Sequence, residues 1–136
     1  MIVFIDTNLI VDYLADRGAF AEAAELIFGK CSDGTLSGYV SSNAISDVFY
    51  ILRKEFTVEQ RKKMLFNLCR LVRVTGLEHE DVVSAITNEE FKDLEDCLQS
   101  ECAGKIGADY IITRNIDDFI ASVIPAITPS DFLRLL

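Results

Sequence analysis

Apolar positions along this chain fall into short blocks of two alternating kinds. Ile2-Val3-Phe4-Ile5 is an unbroken β-favouring run that stops abruptly at Asp6, Thr7 and Asn8. Such a run predicts a short strand buried on both faces, here over residues 2–6. Helical spacing follows from Asn8 to about Asp16, with Thr7 or Asn8 as N-cap, and again from Phe20 to Gly29. Asp33-Gly34 marks a turn, and Leu36 to Ser41 a second strand. Ser42 or Asn43 caps a helix running to about Glu55, and Thr57 caps another running to about Leu71. Val72 to Thr75 is a strand and Glu78 to Asn88 a short helix. A helix from Asp93 to about Ile106 ends at Gly107. Tyr110 to Thr113 and Ile124 to Ile127 are strands, the latter an edge strand because of Pro125. Thr128 caps a last helix, Pro129 to Leu135. Strands alternating with helices imply an α/β fold with a mostly parallel sheet covered on both faces.

Composition narrows the class. A chain of 136 residues, half of them hydrophobic, is expected to form one domain, 1–136, with a proper core. No apolar stretch reaches the ~20 residues of a membrane span. The apolar N-terminus lacks a basic leader and is interrupted by Asp6 and Asp12, so a cytoplasmic protein is expected. Cys31, Cys69, Cys97 and Cys102 form no C-x-x-C pair and read as buried reduced thiols. The net charge of −9 argues against nucleic-acid binding over the whole surface. The charge is unevenly spread, however. Arg53, Lys54, Arg61, Lys62, Lys63, Arg70 and Arg73 share one stretch, and a strongly acidic stretch follows it. A local phosphate contact remains open, as does an ordinary solvated helix pair.

Asp6 stands where an apolar strand ends, the edge at which open α/β sheets bind ligands. Asp96 is its expected partner. On the helix from Asp93, residues 93, 96, 97, 100, 104 and 107 share a face of small and acidic groups, which predicts close approach to the sheet. Thr113, Asn115 and Asp117 leave the same sheet edge after Tyr110-Ile111-Ile112, although Asp117 and Asp118 also suit turn chemistry. Asp109 reads as structural. Asp47 lies opposite the core face of its helix and matters only if that face lines a cleft. If Asp6 and Asp96 meet, their charges repel by several kcal/mol at ~4 Å with an effective dielectric near 20. Protonation of one, or a hard cation between them, relieves this. Carboxylates with a carboxamide and no thiol or imidazole pair favour Mg²⁺ or Mn²⁺ over zinc, a donor set suited to phosphodiester hydrolysis.

Three segments carry a family resemblance: Phe4-Ile5-Asp6-Thr7-Asn8; Asp93-Leu94-Glu95-Asp96-Cys97-Leu98-Gln99; and Gly107 through Asn115 with Asp118-Phe119. In their order and spacing the chain resembles the PIN-domain ribonucleases, in particular the toxins of VapBC-type toxin–antitoxin pairs. The resemblance implies a Rossmann-like three-layer α/β/α sandwich and Mg²⁺- or Mn²⁺-dependent endonuclease activity on RNA. The family's first acid falls on Asp6 and its third on Asp96. Its usual glutamate falls on Asp47, one methylene shorter, and its fourth acid on the neutral Asn115. Both departures reduce the charge of the site. Asp6 and Asp96 are expected to hold the metal, with Asp47 and Asn115 completing the site and Asp117 a possible substitute for Asn115. Asn8 and Thr113 are expected to orient carboxylates or water. Arg114, or Arg53, Lys54, Arg61, Lys62 and Lys63, are expected to hold RNA phosphates. The resemblance further implies a homodimer and a small antitoxin partner, with Phe20, Phe28, Phe49, Tyr50 or Phe56 as apolar contacts.

Two other functions compete. A PIN-like module that binds RNA or a partner with weak catalysis is motivated by Asp47 and Asn115. A phosphatase or phosphotransfer domain of similar sheet order is disfavoured. Asn8 replaces the second acid of an Asp-x-Asp motif, and Thr113-Arg114-Asn115 lacks the lysine that receiver domains need.

Overall fold

The first apolar run forms β1 (Ile2–Ile5), and its alternation divides the core. Val3 and Ile5 enter one cluster, while Phe4 enters another on the opposite face of the sheet. The computed structural model describes all residues 1–136. From β1 the chain continues through α1 (Thr7–Leu14), α2 (Gly18–Ser32), β2 (Ser37–Ser41), α3 (Ser42–Ile51) and a 3₁₀ turn at Leu52–Lys54. Then come α4 (Val58–Leu68), β3 (Arg73–Thr75), α5 (His79–Thr87), α6 (Leu94–Lys105) and β4 (Tyr110–Ile112). A 3₁₀ turn at Ile116–Phe119, β5 (Ala126–Ile127) and α7 (Pro129–Leu135) complete it.

All strand pairs are parallel, in the order β3-β2-β1-β4-β5. The expected three-layer α/β/α sandwich is thus the observed one. The chain builds outward from β1 to β2 and β3 on one side, then crosses to β4 and β5 on the other. The order therefore reverses between β1 and β4, and their carboxyl ends flank the crevice where open sheets place ligands. The larger core unites Leu9, Ile10, Ile27, Phe28, Val48 and Phe132 with one sheet face. The smaller packs Phe4, Cys102, Ala103, Ile111 and Phe119 on the other. No helix is long and apolar enough to cross a membrane.

Several boundaries differ from expectation. Asp6, rather than Thr7 or Asn8, caps α1. Ser41 caps α3, which stops at Ile51 and tightens into its 3₁₀ turn instead of reaching Glu55 as one helix. The buried residues of α6 are Cys97, Gln99, Cys102 and Ala103, so the predicted small-residue stripe is wrong in register. Gly104 faces open space. The smaller core selects Cys102 and Ala103 because they meet Phe4 and Ile111. All four cysteines are free, but Cys69 is exposed.

Gly38 of β2 sets how closely α2 lies on the sheet. A Cβ there would stand 2.7 Å from Cys31 Sγ and 2.9 Å from Val72 Cγ1. Both neighbours are buried and cannot swing clear. Gly38→Ala is expected to destabilise the protein by about 1–3 kcal/mol, the usual cost of overpacking, measured by urea unfolding.

Candidate functional site

Asp6 ends β1 and is only 6% exposed. Its Oδ1 accepts the Thr7 amide at 2.7 Å, and its Oδ2 accepts the Thr113 hydroxyl at 2.7 Å. One carboxylate therefore caps α1 and ties β1 to the exit of β4. Burial pushes its pKa above the ordinary carboxylate value, opposed by hydrogen bonding with Thr113, Gln99 and Thr7. Thr113 is fully buried and in turn accepts the Asn115 amide at 3.0 Å.

Asp96 reaches the same cleft from the first turn of α6, whose N-cap is Asp93 through a bond to the Asp96 amide at 3.1 Å. Its pKa is raised to about 7, first by desolvation and then by the charges of Asp118, Asp93, Asp6 and Glu95. Asp6 and Asp96 thus share one electrostatic field, as the sequence predicts. Asn8, Arg114 and Asn115 also line the cleft.

Asp47 occupies a neighbouring position. It lines an adjoining pocket with Ser41, Thr7, Glu95 and Gln99, and is half-buried rather than turned to bulk solvent. Glu95, absent from the expected set, lines both pockets. Desolvation, then the charges of Asp47 and Asp93, raise its pKa. Asp118, rather than Asp117, lines the main cleft. The cause is the 3₁₀ turn at Ile116–Phe119, in which side chains three residues apart eclipse. Asn115 and Asp118 therefore share a side, and Asp117 moves to an outer hollow with Lys92 and Asp96. Sequence reasoning also missed Gln99 and Arg17. Gln99 was legible as the residue one turn beyond Asp96, whereas Arg17 is delivered by the tight α1–α2 turn, where Asp16 and Gly18 both have positive φ.

The basic expectations divide. Arg61 is buried, donating to the Phe49 carbonyl at 2.6 Å and stacking on the Phe49 ring. It is a structural residue and is withdrawn as a phosphate contact. Arg53 lies over Tyr50 and donates to its carbonyl at 3.0 Å. Lys54, Lys62 and Lys63 are exposed but stand outside the cleft lining. Arg114 pairs with Asp12. Arg17 is half-exposed at the cleft, with a 3.6 Å ion pair to Glu55.

The residues present suit a hard cation. Three cleft carboxylates, Asp6, Glu95 and Asp96, carry raised pKa values, each chiefly by burial, with like charge adding to it. Asn8 Oδ1 and Gln99 Oε1 are buried without a hydrogen-bond partner, and both residues line the cleft. An all-oxygen donor set of this kind matches Mg²⁺ or Mn²⁺. No three His, Cys, Asp or Glu side chains form a ready-made cage.

Fold and cleft together define a parallel α/β sandwich protein with an acidic crevice at the carboxyl edge of its sheet. Residues 2–117 match the PIN domain model, and the chain belongs to this family. It is 27% identical over 136 residues to ribonuclease VapC1 of Aquifex aeolicus (strain VF5), spanning 96% of this chain and 92% of that protein. Its fold is similar to that of a toxin–antitoxin complex from Klebsiella pneumoniae, with TM-score 0.70, 20% identity and coverage of 93% and 97%. It is also similar to VapBC2 from Rickettsia felis bound to a promoter DNA fragment, with TM-score 0.68, 18% identity and coverage of 94% and 98%.

Proposed function

We propose that this chain is an Mg²⁺- or Mn²⁺-dependent endoribonuclease, the toxin of a toxin–antitoxin pair, acting in the cytoplasm, with residues 1–136 forming one domain. The observation that carries the reading is the meeting of buried Asp6 with Asp96, whose pKa is raised to about 7, beside two unpartnered buried amide oxygens. Membership of the PIN family and the likeness to VapC1 support it.

Asp6 and Asp96 would hold the cation, with Asn8, Gln99 and Asn115 as neutral oxygen donors directly or through water. When bound, such an ion lowers the pKa of water and stabilises charge on phosphate oxygens. Thr113 keeps Asp6 aimed by donating to its Oδ2. Asp118 and Glu95 add negative charge at the rim, while Asp47 acts through Glu95. Arg17 is placed to meet an RNA phosphate at the cleft mouth. Phe20 and Tyr50 are 51% and 62% exposed and suit an antitoxin or a second copy of the chain. Phe28 is core, and Phe49 and Phe56 pack partly against it, so these three leave the contact set.

The test is incubation of a mixed RNA pool with Mg²⁺, Mn²⁺ or EDTA. Cleavage in either metal and none in EDTA is expected; equal cleavage in EDTA would sink the proposal. A second reading, a module that binds RNA or a partner with little catalysis, draws on Asp47 lying outside the main cleft and on the neutral Asn115. RNA retention without cutting in Mn²⁺ would favour it.

A further inference from the structure

Asp12 is 1% exposed on α1, beneath the cleft rather than in it, and an isolated charge there would be costly. Arg114 satisfies it in a two-pronged geometry: Nε donates to Oδ2 at 2.8 Å and Nη2 to Oδ1 at 3.3 Å. The other side of the guanidinium is closed by Phe20, whose ring centre lies 4.2 Å from Cζ. Two of its five N–H donors and one face are therefore engaged within the protein.

Arg114 also lies between two residues of the site. Thr113 before it holds Asp6, and the Asn115 amide after it bonds back to the Thr113 hydroxyl at 3.0 Å. The Asn115 carbonyl then accepts the Asp118 amide at 3.1 Å, starting the turn that brings Asp118 to the rim. Asp6 and Asp12 belong to one rigid unit, because Asp6 caps the helix that carries Asp12. The β4 exit is thus fastened to α1 twice, by Thr113 on Asp6 and by Arg114 on Asp12.

We propose that Asp12 and Arg114 are positioning residues, an ion-pair clamp that fixes Thr113, Asn115 and Asp118 relative to Asp6. The proposal rests on the cation-dependent nuclease reading, but its primary readout is metal affinity, which does not require RNA cleavage.

Removing one partner leaves a buried charge and risks unfolding, so the test uses the double variant Asp12→Leu/Arg114→Met. Replacing a buried pair with apolar groups of similar volume is often neutral or stabilising. Thermal unfolding reports the fold, Mn²⁺ titration by electron paramagnetic resonance reports the site, and kcat and KM on single-stranded RNA report turnover. The expected result is a folded protein with Mn²⁺ affinity weaker by about tenfold, the lower range for outer-shell partners of metal ligands. kcat falls with it, and KM for RNA stays within about twofold. Unchanged Mn²⁺ affinity with a raised KM and a shallower salt dependence overturns the clamp, because it identifies a phosphate contact. If the double variant does not fold, Arg114→Lys decides. It keeps the charge but loses the fork, so unchanged Mn²⁺ affinity overturns the proposal and a several-fold loss supports it. Wild type that binds Mn²⁺ but cuts no RNA, with affinity still lost in the double variant, leaves the clamp standing and removes the nuclease reading.

Discussion

Asp6→Asn is expected to abolish metal-dependent RNA cleavage, with a loss of at least about 100-fold, while the metal-free protein stays folded and gains stability at neutral pH. The activity loss follows from charge. Outer-shell partners of a metal cost about 10–100-fold when removed, and a principal ligand should exceed that. The stability gain follows from the same group. Burial raises the Asp6 pKa, so its ionised form is penalised in the fold. A carboxyl with a raised folded pKa contributes stability that is complete below its unfolded pKa and is lost as pH rises through its folded value. At neutral pH wild type bears that penalty and the amide does not. Asparagine can still accept the Thr7 amide as N-cap, and its NH₂ can donate to the Thr113 hydroxyl in place of the bond it can no longer accept, so α1 remains anchored. Thermal unfolding in EDTA and RNA cleavage in Mn²⁺ check the two halves separately. A lower Tm for the variant at pH 7.5 would refute the stability half, and cleavage within about tenfold of wild type would refute the role of Asp6.

Cation affinity is expected to fall by about tenfold for each pH unit below about 7, because Asp96, as a proposed ligand, would have to release one proton to bind. Above that pH the dependence flattens. Desolvation and the surrounding charges of Asp118, Asp93, Asp6 and Glu95 are what bring this carboxyl into the physiological range. The metal-free protein responds with the opposite sign. It is more stable below about pH 7, where Asp96 is protonated, and loses that contribution as pH rises through this value. Mn²⁺ titrations between pH 5.5 and 8 measure the first effect, and Tm in EDTA over the same range measures the second. In Asp96→Asn both dependences are expected to weaken and cleavage to be lost. A flat affinity profile in wild type would show that Asp96 is not displaced of its proton by the ion. The opposed dependences are a sign of a site held at the expense of the apo fold.

The alternation of strands and helices was legible because each element obeys local rules. Short apolar runs between polar residues became strands, and the capping signals at Thr57, Asp93 and Thr128 fell where helices begin. Asp6 was legible as a candidate functional acid because an ionisable group directly after a buried strand stands at the edge where open sheets bind ligands. The same logic reached Asp96, through a helix face assigned in the wrong register. Its residues were inferred to be buried from their small size, whereas Phe4 and Ile111 selected Cys102 and Ala103. Asp118 was misassigned relative to Asp117 because a four-residue 3₁₀ turn leaves no periodicity to read. Arg61 and Arg114 looked like free cations because a charge written in a sequence carries no record of its partner.

The sequence by itself determined the strand–helix alternation, the family, and Asp6 and Asp96 as the candidate acids, since these depend on residue type and on neighbours a few positions away. Only the tertiary structure decided the rest. It placed Asp47 in an adjoining pocket shared with Glu95, brought Asp118 and Gln99 into the cleft, and bound Arg114 to Asp12 across 102 positions of chain. The reason is physical. Desolvation, charge crowding and ion pairing depend on distances in space, and those arise where β1 and β4, remote in the chain, lie side by side in the sheet.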